Sequence, residues 1–140
     1  MDKENCFYCT KDLRLVSLMT KICTIECADI YLFKDQKYPG RCVVALDEHY
    51  EEIFSIPMDK LNIYMSVVSK VAKVLYNLFN ADKINYAVYG DLVSHFHVHI
   101  VPKKKDNFDW GSPFTDTDFK VYLDDSEFSK RIELIRNALN

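Results

Sequence analysis

The chain has few of the residues that interrupt structure: its 140 residues include three glycines and four prolines. No repeat, low-complexity tract or Gly/Pro/Ser-rich linker is visible, which favours one domain over residues 1–140. No apolar run approaches the ~20 residues that cross a bilayer, and the start MDKENCFYC is too polar for a signal peptide. We therefore expect a cytoplasmic protein without a membrane partner.

A strong excess of charge of one sign is also absent. The formal net charge is −3, which argues against a nucleic-acid-binding protein held by phosphate contacts. A small anionic substrate remains compatible with this value, because a local site can be positive inside a mildly acidic protein. Aromatic residues make up 14% of the chain, which favours a well-filled core and a stacking surface for a flat ligand.

The five cysteines form an odd set, unlike the disulfide framework of a secreted protein. Cys6 and Cys9 are separated by two residues in a Cys-x-x-Cys spacing, which is typical of a metal-binding pair or a redox pair. Two unrelated buried thiols would fit this spacing as well. A redox pair normally follows a strand and opens a helix, and nothing before Cys6 can form that strand. The remaining cysteines lie in strand-like segments and are predicted core residues: Cys23, Cys27 and Cys42.

The apolar pattern predicts an α+β fold with a mostly antiparallel sheet and helices on one face. A long amphipathic helix is expected over 58–80, and a C-terminal helix over 126–138. A short helical turn is expected in DEHYEEIF, 47–54. Strands are expected over 19–24, 29–33 and 41–46, over INYAVYG to Gly90, and over HFHVHIVP to Pro102.

Three of the four histidines alternate with apolar residues in the segment 94–102. In a strand, His95, His97 and His99 share one face, and the apolar residues between them can pack against the long helix. Adjacent imidazoles repel when charged, so their protonation must be coupled or suppressed. Two interpretations follow: a metal site shared by the three rings, or phosphorus chemistry with one ring as nucleophile.

The stretch HFHVHIVP resembles the signature of the histidine triad (HIT) family, in which three histidines alternate with hydrophobic residues. The resemblance extends to YPGRCVVALDEH, to the long helix and to INYAVYG, and covers roughly 4–113. It implies a HIT-like fold with a five-stranded, mostly antiparallel sheet. It also implies a homodimer that hydrolyses or transfers nucleotides, with a dinucleoside polyphosphate or a nucleoside phosphoramidate as substrate.

The resemblance also implies catalytic roles for two of the three histidines. The middle histidine of the family attacks the α-phosphorus and forms a nucleotidyl-histidine intermediate, and His97 matches that position. The third histidine lies beside the phosphate and helps to carry developing charge, and His99 matches it. No catalytic metal and no organic cofactor are expected.

Some members of the wider family, including the galactose-1-phosphate uridylyltransferases, hold a structural zinc. Their ligands are a Cys-x-x-Cys pair, an intervening histidine and the first histidine of the signature. Carried onto this chain, the ligands are Cys6, Cys9, His49 and His95, which would tie the segment 1–12 to the catalytic strand. A surface position beside acidic residues is the other interpretation of His49.

The chain departs from the family pattern before the triad. Arg41 stands where many members carry a histidine, and it can pair with a phosphate or with a carboxylate. Asp91 and Leu92 replace a glutamine and a serine that normally contact the phosphate or the leaving group. Asp91 could orient a water or a donor, while Leu92 offers no hydrogen bond. These departures motivate an alternative function: a nucleotide-binding or sensing protein with little catalysis.

The remaining candidates concern the nucleoside and the rim of the site. Leu32, Phe33 and Asp35 match the nucleoside-binding region of the family, although core packing or a solvated turn would explain them as well. The lysines at 103–105 are either a solvated charge run or an attraction for a polyphosphate chain. Trp110 is expected to cover either the site or the dimer partner.

Overall fold

The computed structural model describes residues 1–116 and 119–140. Five strands form one antiparallel sheet in the order β1-β2-β3-β5-β4, so the predicted α+β fold is confirmed. None of the helices in the described part of the chain is long and apolar enough to span a membrane. The elements are α1 (Phe7–Thr10), α2 (Leu13–Leu18), β1 (Met19–Ile25), β2 (Ala28–Phe33), β3 (Cys42–Leu46), α3 (Met58–Leu78), β4 (Lys83–Ala87), β5 (His97–Lys103) and α4 (Asp125–Leu139).

The long helix α3 and the C-terminal helix α4 cover one face of the sheet. Apolar residues recur on α3 at three- and four-residue steps, which places them on the face that meets the strands. The Tyr64 hydroxyl donates to the Val44 carbonyl at 2.7 Å and fixes α3 across the centre of the sheet. The buried residues of this core include Ile30, Leu32, Cys42, Val44, Tyr64, Val68, Val71, Leu75, Val98, Ile100, Ile132 and Ile135.

The other face of the sheet is covered near its centre by the N-terminal segment, which includes α1 and α2. These two helices were not predicted, although Asp12 is a recognisable N-cap that accepts from the Arg14 backbone N–H at 2.9 Å. Lys11 at the end of α1 forms an ion pair with Asp29 on β2, with Nζ and Oδ2 2.7 Å apart. A second core cluster forms here from Cys6, Tyr8, Leu15, Met19, Tyr31, Val43 and Ala45.

Two predicted strand limits beside the triad are wrong. β4 ends at Ala87 rather than at Gly90, and β5 begins at His97 rather than at His95. The chain turns between them: the N–H of His95 donates to the carbonyl of Val93, and the N–H of Phe96 donates to the carbonyl of Tyr50. These bonds replace strand pairing and direct His95 toward the N-terminal segment.

The other predicted limits differ from the observed ones by a few residues. The strands expected over 19–24, 29–33 and 41–46 are β1, β2 and β3, and the helices expected over 58–80 and 126–138 are α3 and α4. In the segment 47–54 the expected helical turn is a short 3₁₀ helix, Ile53–Ser55. Helix α3 stops at Leu78 because Phe79 caps it and the next residue has a positive φ of 48°.

Gly40 precedes β3 in a backbone conformation that only glycine tolerates here. Its φ is +90°, and an added Cβ would lie 2.5 Å from Cδ2 of Phe79. We expect Gly40→Ala to lower the free energy of unfolding by about 3 kcal/mol, from backbone strain and overpacking together. Urea denaturation measures the change.

Two other glycines provide the controls for Gly40. Gly111 has a φ of +84°, and an added Cβ would meet no neighbour. Gly111→Ala is therefore expected to lower the free energy of unfolding by only about 1 kcal/mol, from backbone strain alone. Gly90 has neither a positive φ nor a close neighbour, so Gly90→Ala should leave stability nearly unchanged. Equal losses of unfolding free energy in Gly40→Ala and Gly111→Ala would show that overpacking against Phe79 contributes nothing to the effect at Gly40.

Candidate active site and metal site

A cavity of about 430 Å³ lies on the sheet face opposite α3. Its walls come from the N-terminal segment, the strands β1, β2 and β5, Arg41 just before β3, the loop after β4 and the segment before α4. Two triad histidines, one arginine and one lysine line it together with apolar side chains, so it combines a polar floor with apolar walls. The lining residues are Phe7, Tyr8, Leu18, Met19, Phe33, Arg41, Tyr89, Asp91, Leu92, Val93, His97, His99, Asp116 and Lys120.

His97 is held in a single tautomer at the floor of the cavity. Its Nδ1 lies 2.5 Å from the carbonyl oxygen of His95, and because a carbonyl can only accept, Nδ1 carries the proton. Burial lowers the pKa of His97, which favours the neutral ring. Tyr8 packs against the imidazole with 4.9 Å between ring centroids. Nε2 is therefore the nitrogen that keeps a lone pair, as a nucleophile requires.

His99 lies next to His97 in an aromatic environment. The two imidazole centroids are 5.2 Å apart, and the rings of Phe33 and Tyr89 lie 6.0 and 5.7 Å from His99. Its Nδ1 faces Nη2 of Arg41 at 3.1 Å. Burial and the positive charge of Arg41 lower the pKa of His99 to about 3, so the ring is neutral at neutral pH.

Arg41 is 1% exposed although it carries a permanent charge. Its Nη atoms form a bidentate ion pair with the carboxylate of Asp116, at a distance of 3.4 Å for Nη2 and closer for Nη1. The guanidinium lies over the rings of Phe33 and Phe114, 4.0 and 4.9 Å from their centroids. Among the described residues its Nε has no hydrogen-bond partner. Of the two pairings expected for Arg41, the structure contains the one with a carboxylate.

A second cluster of polar side chains lies behind the cavity. Cys6, Cys9, His49 and His95 bring one ligand atom each to within 4.8 Å of one another. His95 Nδ1 lies 3.3 Å from Cys6 Sγ, 3.6 Å from Cys9 Sγ and 3.3 Å from His49 Nδ1, and Cys9 Sγ lies 3.4 Å from His49 Nδ1. Zinc bond lengths of 2.0–2.3 Å give a tetrahedron with edges of about 3.3–3.8 Å, so the residues fit zinc.

The hydrogen bonds behind this cluster direct both imidazoles toward its centre. Nε2 of His95 donates to the Leu46 carbonyl at 2.8 Å, and Nε2 of His49 donates to the Met1 carbonyl at 3.0 Å. Both Nδ1 lone pairs then point at one region, an arrangement typical of metal-bound histidines. Burial lowers the pKa of His95 to about 4, and burial together with Cys6 raises the pKa of Cys9 to about 11. A cation would offset the cost of deprotonating the thiol.

The predicted nucleoside-binding residues separate in the structure. Phe33 lines the cavity. Leu32 is 0% exposed and packs in the core under α3, so its side chain faces away from the cavity and the predicted contact is corrected. Asp35 is buried outside the cavity lining and accepts the N–H groups of Lys37 and Val121 at 3.1 and 3.0 Å. Its carboxylate anchors the segment before α4, which replaces the solvated turn expected from the sequence.

Lys103 and Trp110 lie away from the triad. Lys103 is buried, and its Nζ donates to the carbonyl oxygens of Asp109 and Ser112, so it belongs neither to a solvated run nor to the triad cavity. Burial lowers its pKa. Trp110 is 42% exposed and lines a separate cavity of about 450 Å³ beside β4. Within the described residues, Trp110 is therefore not a cover for the triad cavity of its own chain.

Several cavity residues were missed by sequence reasoning, among them two aromatic residues of the N-terminal segment and two charged residues before α4. Phe7 and Tyr8 lie between the two cysteines, and the Cys-x-x-Cys spacing could have placed them near the triad once His95 was taken as a shared ligand. Asp116 and Lys120 come from the segment before α4, which carries no motif. Only the fold brings this segment to the cavity, through the bridge between Tyr122 and Asp35, which lies just after β2.

Comparisons with known proteins agree with the family resemblance that the three alternating histidines indicate. The family model described as "HIT domain" matches residues 19–106. An uncharacterized HIT-like protein from Methanocaldococcus jannaschii is 34% identical over 68 residues, which are 46% of this chain and 53% of the relative. The chain thus spans about half the length of the curated relative that it matches.

Solved structures match over nearly the whole chain. A histidine triad protein from Bradyrhizobium japonicum has a TM-score of 0.84 and 23% identity, with 92% of this chain and 96% of that chain covered. A zinc-bound histidine triad family protein from Mycobacterium smegmatis has a TM-score of 0.69 and 22% identity, with 99% of this chain and 95% of that chain covered. A diadenosine triphosphate hydrolase from Plasmodium falciparum has a TM-score of 0.65 and 15% identity, with 86% of this chain and 76% of that chain covered. The triad, the shared fold and the family match over residues 19–106 show that this chain belongs to the HIT domain family.

Proposed function

We propose that the protein is a nucleotide hydrolase or nucleotidyltransferase that acts at the α-phosphorus of a dinucleoside polyphosphate or a nucleoside phosphoramidate. The observation that carries the proposal is the hydrogen bond from His97 Nδ1 to the His95 carbonyl, 2.5 Å long, which leaves the Nε2 lone pair for attack in a 430 Å³ cavity. Membership of the HIT family supports it, as does the fold shared with a diadenosine triphosphate hydrolase from Plasmodium falciparum.

In the first step, Nε2 of His97 attacks the α-phosphorus. An N–P bond forms, and the bond from phosphorus to the leaving group breaks. A polyphosphate leaving group departs as an anion, whereas an amine takes a proton from solvent water. The charged ring of the intermediate is stabilised by the His95 carbonyl that accepts from Nδ1.

In the second step, a water molecule attacks the same phosphorus. The N–P bond breaks, a nucleoside monophosphate leaves, the proton of the water passes to solvent, and His97 returns to its neutral form. Another acceptor in place of water gives the transferase reaction. His99 is proposed to stabilise the negative charge that develops on the phosphoryl oxygens in both steps.

The substrate is proposed to lie with its phosphates near His99 and Arg41 and its base against Phe33. The Arg41 charge attracts the phosphates, although Asp116 offsets part of it. Phe33 offers an aromatic face for the base. Asp91 lines the same cavity and is proposed to orient a water or a donor on the phosphate side.

We further propose that Cys6, Cys9, His49 and His95 hold a structural zinc ion. Their ligand atoms have the spacing of a tetrahedral site, and all four ligands come from the protein, as in closed structural sites. The metal would tie the N-terminal segment to the start of β5. A metal shared by all three triad histidines is not supported, because His97 Nδ1 is bonded to a carbonyl and His99 Nδ1 faces Arg41.

The nucleotide-binding or sensing function remains as a second candidate. One observation that favours it is the carboxylate of Asp91 in the cavity, which stands where the family carries a neutral glutamine and would oppose the extra negative charge that develops on the phosphoryl oxygens during the reaction. Leu92 is 87% exposed and donates no hydrogen bond to a leaving group. Such a protein would bind nucleotides without forming an adduct on His97.

A homodimer in the cytoplasm is proposed from the family resemblance. Size-exclusion chromatography with light scattering tests the oligomeric state, and fractionation of cells tests the location. A mass of 16.4 kDa in solution would contradict the dimer.

The proposed reaction is tested with a panel of dinucleoside polyphosphates and nucleoside phosphoramidates. We expect at least one to be cleaved to a nucleoside monophosphate, with one ¹⁸O atom in the monophosphate when the reaction runs in H₂¹⁸O. Label found only in the other product would place the attack elsewhere. Tight nucleotide binding without cleavage of any substrate, and without an adduct, would favour the sensing function.

A further inference from the structure

Arg41 makes an unusual set of contacts for a residue in a phosphate-binding cavity. Both Nη atoms face Asp116, and Nη2 also faces Nδ1 of His99 at 3.1 Å. The guanidinium lies over the rings of Phe33 and Phe114, within 5 Å of both centroids at 4.0 and 4.9 Å. Carboxylate and rings together fix its plane, so the direction of the bond to His99 is fixed as well.

The chemistry of the two side chains determines which one donates the hydrogen bond between Arg41 and His99. A guanidinium carries hydrogens on every nitrogen and accepts no hydrogen bond, so Nδ1 of His99 must be the acceptor. The ring is neutral, because burial and the charge of Arg41 hold its pKa well below 7. A neutral imidazole with a bare Nδ1 carries its proton on Nε2.

We infer that Arg41 is a positioning residue that holds the proton of His99 on Nε2, so that His99 presents a neutral N–H donor to the substrate. The inference rests on the proposed function, which gives that donor a substrate oxygen to bind. It differs from a direct phosphate contact by Arg41, because the Nη atoms are already engaged and the side chain is 1% exposed.

The two cavity histidines are then fixed as opposite tautomers. His97 has its proton on Nδ1, bonded to the backbone, and a lone pair on Nε2. His99 has its lone pair on Nδ1, bonded to Arg41, and a proton on Nε2. One ring can therefore attack phosphorus while its neighbour, 5.2 Å away between centroids, donates to an oxygen of the same phosphate. The backbone sets one tautomer, and the Arg41–Asp116 pair sets the other.

The test measures the tautomer directly by long-range ¹H–¹⁵N NMR on the purified protein, with zinc added to fill the proposed metal site. The chain has four histidines, and His99→Gln identifies the signals of His99. We expect the Nε2–H form in the wild type and a shift toward Nδ1–H in Arg41→Met, which keeps size and loses all donors. Arg41→Lys keeps a charged N–H donor group and should keep the wild-type form. Arg131→Met is the control, since Arg131 also lies over an aromatic ring, Phe79, but outside the cavity.

Activity provides the second measurement. We expect kcat of Arg41→Met to fall about 10²-fold, because a transition-state donor is lost, with a smaller rise in KM from the lost attraction for the phosphates. A rise in KM with unchanged kcat would indicate a direct phosphate contact and overturn the inference. An Nδ1–H signal for His99 in the wild type would overturn it even if the Arg41 variants do not fold. Absence of turnover by the wild type would contradict the proposed function and leave the NMR result standing.

Discussion

Replacing His97 with Gln is expected to lower kcat by at least about 10⁴-fold on any substrate that the wild type cleaves. The expected loss is this large because no other group in the described part of the cavity has the position and the free lone pair of His97 Nε2. Gln has nearly the length of the histidine and keeps a donor for the His95 carbonyl, so the wall formed by Tyr8 should stay in place.

Detection of the covalent intermediate distinguishes the role of His97 as nucleophile from the role of His99 as donor. Wild-type protein quenched during turnover should carry a nucleoside monophosphate on His97, detected by mass spectrometry of peptides kept at alkaline pH. His99→Leu should still form this adduct, but more slowly, because it loses the donor and not the nucleophile. Full activity of His97→Gln, or an adduct on His99, would show that the nucleophile is assigned wrongly.

The sequence predicted those parts of the site whose residues lie close together in the chain. Alternation within one strand was enough to place His97 and His99 on the same face. The burial of Val98 and Ile100 under α3 follows from the same alternation. The resemblance to the HIT family then supplied His49 as a distant partner of the cysteine pair, and the four ligand atoms converge as predicted.

The parts that were missed depend on contacts between distant segments. Asp116 is 75 residues from Arg41, and no local pattern indicates that the two will pair. Lys103 is the last residue of the triad strand and begins a run of lysines, yet two carbonyl oxygens of the next loop bind its ammonium group. The family resemblance predicts a nucleoside contact for Leu32, whereas the register of β2 with β3 places Leu32 opposite Cys42 in the core.

The N-terminal segment links the cluster of Cys6, Cys9, His49 and His95 to the cavity. Cys6 and Cys9 enclose Tyr8, whose ring centroid lies 5.2 Å from that of His95 and 4.9 Å from that of His97. The same segment is anchored at its other end by the ion pair between Lys11 and Asp29. A change at the cysteines should therefore reach the wall of the cavity, while the core under α3 keeps its own packing.

Loss of the metal is consequently expected to lower both stability and activity. We expect about one zinc per chain in the purified protein, and its loss in Cys9→Ser or after chelation. The free energy of unfolding should fall by about 3 kcal/mol, or roughly 10 °C in Tm, because the buried His95 imidazole, the buried Cys6 thiol and the half-buried His49 and Cys9 lose their common partner. Elemental analysis and thermal unfolding measure the two effects.

Cys27→Ser is the matched control for the metal site. Cys27 is also half-buried, but its nearest polar partner is the Lys60 carbonyl, 3.9 Å from its Sγ, and it is not part of the cluster. This variant should keep the zinc and a nearly unchanged Tm. In Cys9→Ser, kcat should fall as well, because Tyr8 no longer holds the ring of His97, while the long helix keeps its circular dichroism signal. A Cys9→Ser protein with wild-type zinc content and Tm would contradict both the ligand set and its link to the cavity.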